Sequence, residues 1–141
     1  MRDFASSIHP VRAISPAAAV TDNTPIVSQI IDVSGAEGLV FLLMLGALAD
    51  ADATFTVLVE HGDQANLSDA AAVPDAYLTG TEALAGFAFD DDNETRKIGY
   101  VGSKRYVRLT ITPANNSGNV FVSMLALKCG LRYAPAANPP A

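Results

Sequence analysis

The stretch Lys104–Leu127, KRYVRLTITPANNSGNVFVSMLAL, contains two extended runs joined by a turn-rich connection. In Tyr106–Thr112 the side chains alternate, with Val107, Leu109 and Ile111 on one face and Tyr106, Arg108, Thr110 and Thr112 on the other. That period of two is what a strand half buried against a core requires. Pro113 cannot donate to a ladder and is expected to end the run, and Asn115, Asn116, Ser117, Gly118 and Asn119 are residue types that tolerate left-handed backbone. Val120–Leu127 is apolar except for Ser123 and rich enough in branched side chains for a central strand covered on both faces. The two runs are expected to pair as a hairpin. Because an isolated hairpin is only marginally stable in water, the other apolar runs must build sheet around it.

Working outward, Ile26–Val33, Leu39–Leu48 and Thr54–Glu60 read as strands, the middle one the most hydrophobic and expected to be buried. Ala76–Thr79, Leu84–Phe89 and Arg96–Val101 are shorter candidates. The segment from Asn66 to Val73 has the makings of one helical turn, with Ser68 as N-cap, but reads better as a crossover between strands. About eight strands punctuated by Gly, Pro, Asp and Asn, with no long helical period, predict an all-β sandwich or barrel. Residues 1–25, with Pro10, Pro16 and Pro25, are expected to be an extended N-terminal arm; residues 26–133 form the sheet domain and 134–141 an irregular tail.

The chain has 141 residues, enough for one domain that buries roughly two thirds of its unfolded surface. At 50% hydrophobic and 17% charged residues it is not a disordered polymer, and some apolar surface is available for a partner. The longest apolar run, Leu39–Ala49, is about half the roughly 20 residues that a membrane-spanning helix needs, so no membrane partner is expected. The first residues lack a basic, apolar, small-residue leader, and a lone cysteine, Cys129, has no internal disulfide partner; secretion is not expected.

The net charge of −6 is unevenly laid out: residues 13–94 hold fourteen carboxylates and no Lys or Arg, while residues 95–141 hold seven Lys or Arg and no carboxylate. Acidic and basic strands lying side by side in a sheet would attract one another. The other reading is that Arg96, Lys97, Lys104, Arg105 and Arg108 form an exposed patch for an acidic protein. Nucleic acid is not an expected partner, since the overall negative charge repels phosphate and no aromatic residues interleave with the basic ones.

Chemistry-bearing constellations are sparse. His9 sits among prolines, His61 at the end of a strand and Cys129 beside an apolar run where a buried, inert thiol is expected, so no nucleophile–base pair stands out. The acidic loop Asp90–Glu94, DDDNE, lacks the glycine turn and distal glutamate of an EF-hand loop. Neither catalysis, a metal nor a cofactor is expected.

Two stretches, Gly46–Glu60 (GALADADATFTVLVE) and Thr81–Gly118 (TEALAGFAFDDDNETRKIGYVGSKRYVRLTITPANNSG), resemble the capsid cement, or decoration, proteins of tailed phages, of the kind carried by short-tailed Bordetella phages. The likeness runs from about residue 26 to 132 and is strongest in GYVGSKRYVRLTITPANN. It implies an antiparallel jelly-roll-like β-sandwich on the outer surface of an icosahedral head, bound to major capsid subunits of the HK97-like kind and associated with copies of itself as homodimers. Its expected location is therefore the virion, after synthesis in the host cytoplasm. On that basis Arg2, Phe4, Ile8, Arg12 and Ile14 of the arm, with Arg96, Lys97, Arg105 and Arg108 of the basic segment, are the candidate partner-binding residues. Deleting residues 1–16 is then expected to leave a folded protein that no longer decorates heads. A different class, a carbohydrate- or receptor-binding sandwich from a phage fibre or tail, remains open, and glycan binding would favour it.

Overall fold

The computed structural model describes residues 2–140. A 3-10 turn at Ala5–Ser7 leads into strand β1 (Ile8–Ile14), followed by β2 (Ile26–Val27), β3 (Ile31–Asp32), β4 (Ala36–Leu48) and β5 (Thr54–Gly62). Next come β6 (Ala71–Ala72), a 3-10 turn at Asp75–Tyr77, β7 (Leu78–Thr79), a one-turn helix α1 (Glu82–Ala85) and β8 (Phe87–Ala88). Three longer strands complete the chain: β9 (Thr95–Tyr100), β10 (Tyr106–Ala114) and β11 (Val120–Leu131). The first sheet has the order β1-β11-β4-β9-β7; in the second, β10 and β5 are central, flanked by β2 and β3 on one side and β6 and β8 on the other. Every pairing is antiparallel. No helix among the described residues is long and apolar enough to cross a membrane.

Alternation fills the space between the sheets. Leu39, Phe41, Leu43 and Leu45 of β4, Val122, Met124 and Ala126 of β11, and Ile98 of β9 point inward and are buried. They meet Phe55, Val57 and Val59 of β5 and Val107, Leu109 and Ile111 of β10. Phe55 stacks on Phe87 with ring centroids 4.5 Å apart, closing one end of the core.

The expected hairpin does not form. β10 pairs with β5 over nine residues, Tyr106 with Gly62 through Ala114 with Thr54, whereas β11 pairs with β4 and β1 in the opposite sheet. Like patterns sort together: alternating β10 lies beside alternating β5, and β11, apolar on both faces, lies beside β4, which is also apolar on both faces. The connection between them crosses from sheet to sheet and is held from two sides. The Asp50 carboxylate accepts from the backbone N–H of Ser117 (2.7 Å) and Gly118 (3.1 Å) and from the Ser117 hydroxyl (3.0 Å). Asn116 donates its backbone N–H to Asn23 Oδ1 (2.8 Å) and its side-chain amide to the Asp22 carbonyl (3.0 Å). A side chain at position 118 would lie 2.9 Å from the Asp50 backbone nitrogen, so glycine is required there.

Other boundaries differ from the sequence reading for local reasons. β10 runs through Pro113 to Ala114; Pro113 pairs with Phe55 and lies past the end of β2, on the side of the strand where no N–H is needed. Ile26–Val33 is split into β2 and β3 by Ser28, whose hydroxyl accepts from Leu109 N–H (3.0 Å) in place of a ladder bond. Asn66–Val73 forms turns and the two-residue β6, and the single helical turn falls instead at α1, where Thr81 Oγ1 accepts from Leu84 N–H (3.1 Å) as N-cap. The expected N-terminal arm is extended, but part of it is sheet. Ile8–Ile14 forms an edge strand on β11, with Ala13 and Ile14 buried and a bulge between Arg12 and Ile14. Val20 bridges Val120 farther along.

Candidate functional site

Covering only the inward side of β4 and β11 leaves their second apolar face open. β11 was expected to be covered on both faces and β4 to be buried; the second sheet covers one face of each, and no element among the described residues covers the other. The register lines up the outward side chains in rows across four strands: Arg12, Leu125, Leu42 and Lys97 in one, Pro10, Leu127, Val40 and Gly99 in the next. Ser123, Met44 and Thr95 make a third row and Ile8, Cys129 and Gly38 a fourth. Met44 is 62% exposed, Leu125 46% and Phe121, beside Gly46, 45%. A shallow groove of about 760 Å³ runs over Leu42, Met44 and Leu125 between Arg12 and Lys97. At ordinary strand spacings the face measures about 27 Å by about 19 Å, or roughly 500 Å². A patch of about that size is the largest that a typical globular chain exposes, and it is often functional.

The opposite outer face is mostly polar, with Val27 and Leu58 the exposed apolar side chains in its rows. On β10 and β5, Thr112 lies across from Thr56, Thr110 from Leu58 and Arg108 from Glu60, and Tyr106 lies across from Asp32 of β3. The two surfaces of the sandwich therefore differ in kind.

The candidate residues divide accordingly. Ile8, Arg12 and Lys97 come together on the open apolar face. Ile14 belongs to the core, opposite Met124. Arg2 and Phe4 precede β1 and are exposed. Arg96 lies at the end of the first sheet and pairs with Asp91 (3.2 Å) and Glu94 (2.6 Å). Arg105 makes two hydrogen bonds of 3.0 Å to the Asp32 carboxylate, and Arg108 pairs with Glu60 at 3.0 Å. Lys104 pairs with Asp63 at 2.6 Å. Four of the five basic residues from 96 to 108 thus neutralise carboxylates of the earlier, acidic part of the chain. Lys97 has no ion pair among the described residues.

Sequence reasoning missed Leu42, Met44, Phe121, Leu125 and Leu127. The signal was present as two runs apolar at both parities, but it was taken for burial inside the chain itself. Cys129, expected in the core, is half-buried on the open face beside Gly38.

The carboxylates show the cost of losing these contacts. The Arg105 guanidinium holds Asp32 down to about 2 from 3.8, and backbone N–H bonds from Ser117 and Asp52 hold Asp50 well below the carboxylate range. A depressed folded-state pKa contributes stability that is complete above the unfolded value and is lost as pH falls through the folded one. The urea midpoint is therefore expected to fall between about pH 4 and pH 2, and Asp32→Asn to flatten that fall. Identical acid profiles for the variant and wild type would count against the linkage.

Few groups are arranged for chemistry. His61 Nδ1 and the Tyr100 hydroxyl are 2.8 Å apart and buried; burial lowers the His61 pKa and raises that of Tyr100. The Tyr100 oxygen also accepts from Lys104 N–H (3.0 Å), so the pair ties β5 and β9 to the loop between β9 and β10. Among the described residues no group of three or more His, Cys, Asp or Glu side chains could hold a metal. In the acidic loop, Asp91 accepts from Ala88 N–H (2.8 Å) within the turn, and Asp92 accepts from Leu48 N–H (3.1 Å), tying the loop to the end of β4.

The arrangement defines an antiparallel β-sandwich of the jelly-roll kind, with one polar and one apolar outer face. No protein-family model matches the chain, and no curated protein matches it. Among solved structures, the CBM22-1–GH10 modules of xylanase 10B from Clostridium thermocellum match it with a TM-score of 0.52 at 12% identity, covering 96% of this chain. The match spans 29% of the xylanase chain. The SPBc2 prophage-derived protein YomS matches at a TM-score of 0.47 and 11% identity, over 86% of this chain and 93% of its own. The tripod from the baseplate of bacteriophage Tuc2009 matches at 0.43 and 14%, over 92% and 68% respectively. The first of these likenesses bears out the sandwich fold; at such identities fold is all that it carries.

Proposed function

We propose that this chain is a structural virion protein that binds the outside of an icosahedral phage head and stabilises contacts between major capsid subunits of the HK97-like kind. The observation that carries the reading is the open apolar face of the first sheet, which a protein partner would cover. The resemblance of Thr81–Gly118 to phage cement proteins supports the same reading from the sequence side. Cement acts by adding interface across the seams of a shell, and because the shell repeats, modest contacts at each copy sum to strong retention. The proposal includes association of copies as dimers.

The alternative, a carbohydrate- or receptor-binding module, draws support from the fold likeness to part of the xylanase chain, which was solved in complex with xylohexaose. A sugar platform needs aromatic faces and convergent hydrogen-bonding groups. The open face here has one exposed ring, Phe121, among Leu, Met, Val and Pro side chains. Purified protein is expected to co-sediment with empty heads of a phage that encodes it and to show no retention on a glycan array. Retention on glycans without head binding would reverse the choice.

A further inference from the structure

The open face is apolar and also charged, with one sign only. Arg12 and Lys97 stand at the two ends of one row, with Leu125 and Leu42 between them, about 14 Å apart by three strand spacings. The Arg12 guanidinium donates to the Ser15 hydroxyl (2.7 Å) and faces the neutral Gln29 amide; no carboxylate neutralises it among the described residues. Lys97 also lacks a carboxylate partner there. The outward positions of β1, β11, β4 and β9 named above include no carboxylate, in a chain whose net charge is −6. Arg96, Lys104, Arg105 and Arg108 are matched by carboxylates, whereas the two cations at the ends of this apolar row are not.

This placement selects the occupant. Suppose two copies met face to face about a two-fold axis centred on the Leu42–Leu125 row. An axis along the strands sets Arg12 of one copy against Lys97 of the other, and an axis across them sets each cation against its own counterpart. Both juxtapose like charges in a drying interface, which is unfavourable. Extending the proposed head-binding role, on which it rests, we infer that the outer face of the first sheet takes a surface of a different protein, one carrying carboxylates at both ends of an apolar strip, and not a second copy of this chain. Any dimer of this chain then uses another surface.

The test uses the full-length protein and empty heads of a phage that encodes it, with Arg12→Glu/Lys97→Glu, the neutral Arg12→Gln/Lys97→Gln and wild type compared after circular dichroism has shown each to be folded. Wild type is expected to bind, the Glu variant to lose affinity by at least tenfold, the Gln variant to fall between, and salt to weaken wild type most. Wild-type binding with equal affinity for all three overturns the charge inference and leaves head binding standing. If wild type does not bind heads, head binding falls, and two dyes decide the inference. Anilinonaphthalene sulfonate, apolar and anionic, should bind wild type and fail on the Glu variant, while neutral Nile red binds both; equal sulfonate binding overturns it. Light scattering supplies the last arm: a wild-type dimer that Met44→Glu/Leu125→Glu dissociates would also overturn it, and a dimer unaffected by those changes supports it.

Discussion

Glutamate at both Met44 and Leu125 is expected to abolish head binding, by about 100-fold or more, in a protein that unfolds at the temperature of wild type. Both side chains point away from the core and are largely open to solvent, so in the free protein each change should stay within about 0.5 kcal/mol. In a complex they lie at the centre of the face, where truncating an anchor costs ~2 kcal/mol or more and a buried, unpaired carboxylate costs further. The measurement is co-sedimentation beside a thermal melt. Undiminished binding would remove the face from the interface, and a lowered melting temperature would mean that the two positions support the fold instead.

Removing residues 1–16 is expected to destabilise the sandwich by roughly 2–4 kcal/mol, taking the buried Ile14 at ~1.5–3 kcal/mol and the half-buried Val11 at about half that, and to make the protein aggregate. The sequence alone suggested a detachable arm. In the structure the deletion strips β1 from β11, opens the buried positions of Ala13 and Ile14, and turns a strand that is apolar on both faces into an exposed edge. Against a total stability of about 5–15 kcal/mol for a domain of this kind, that is a large fraction. Deleting residues 1–7 removes only the exposed lead-in and should leave the urea midpoint near that of wild type. If the longer deletion melts like wild type, β1 is dispensable, and an arm that reaches for a partner regains its place.

The long strands were legible because their side chains carry a period of two: Phe55, Val57 and Val59 in β5 and Val107, Leu109 and Ile111 in β10 are buried as that alternation requires. β1 was not legible. Pro10 and the bulge after Arg12 break its alternation, and its burial depends on β11, far away along the chain. Partner choice was also beyond a local pattern, since a short connection between two strands suggests a hairpin unless one knows that Asp50, Asp22 and Asn23 hold the turn. Charge segregation pointed to internal ion pairs without naming them. The docking face was half legible: the apolar run of β11 announced two faces needing cover, and only the folded chain reveals that it covers one and leaves the matching face of β4 open beside it.

The sheet-to-sheet crossing between β10 and β11 also governs how the chain reaches this state. Neither of the last two long strands can zip onto the other, so each must find a mate made much earlier, β5 for one and β4 for the other. Loop closure of that length delays assembly, and folding in the millisecond-to-second range is expected. During synthesis, β4 and β5 leave the ribosome with their main neighbours still untranslated, so the nascent chain waits with hydrophobic strands bare until its final quarter emerges, and a chaperone holding it through that interval would raise the yield.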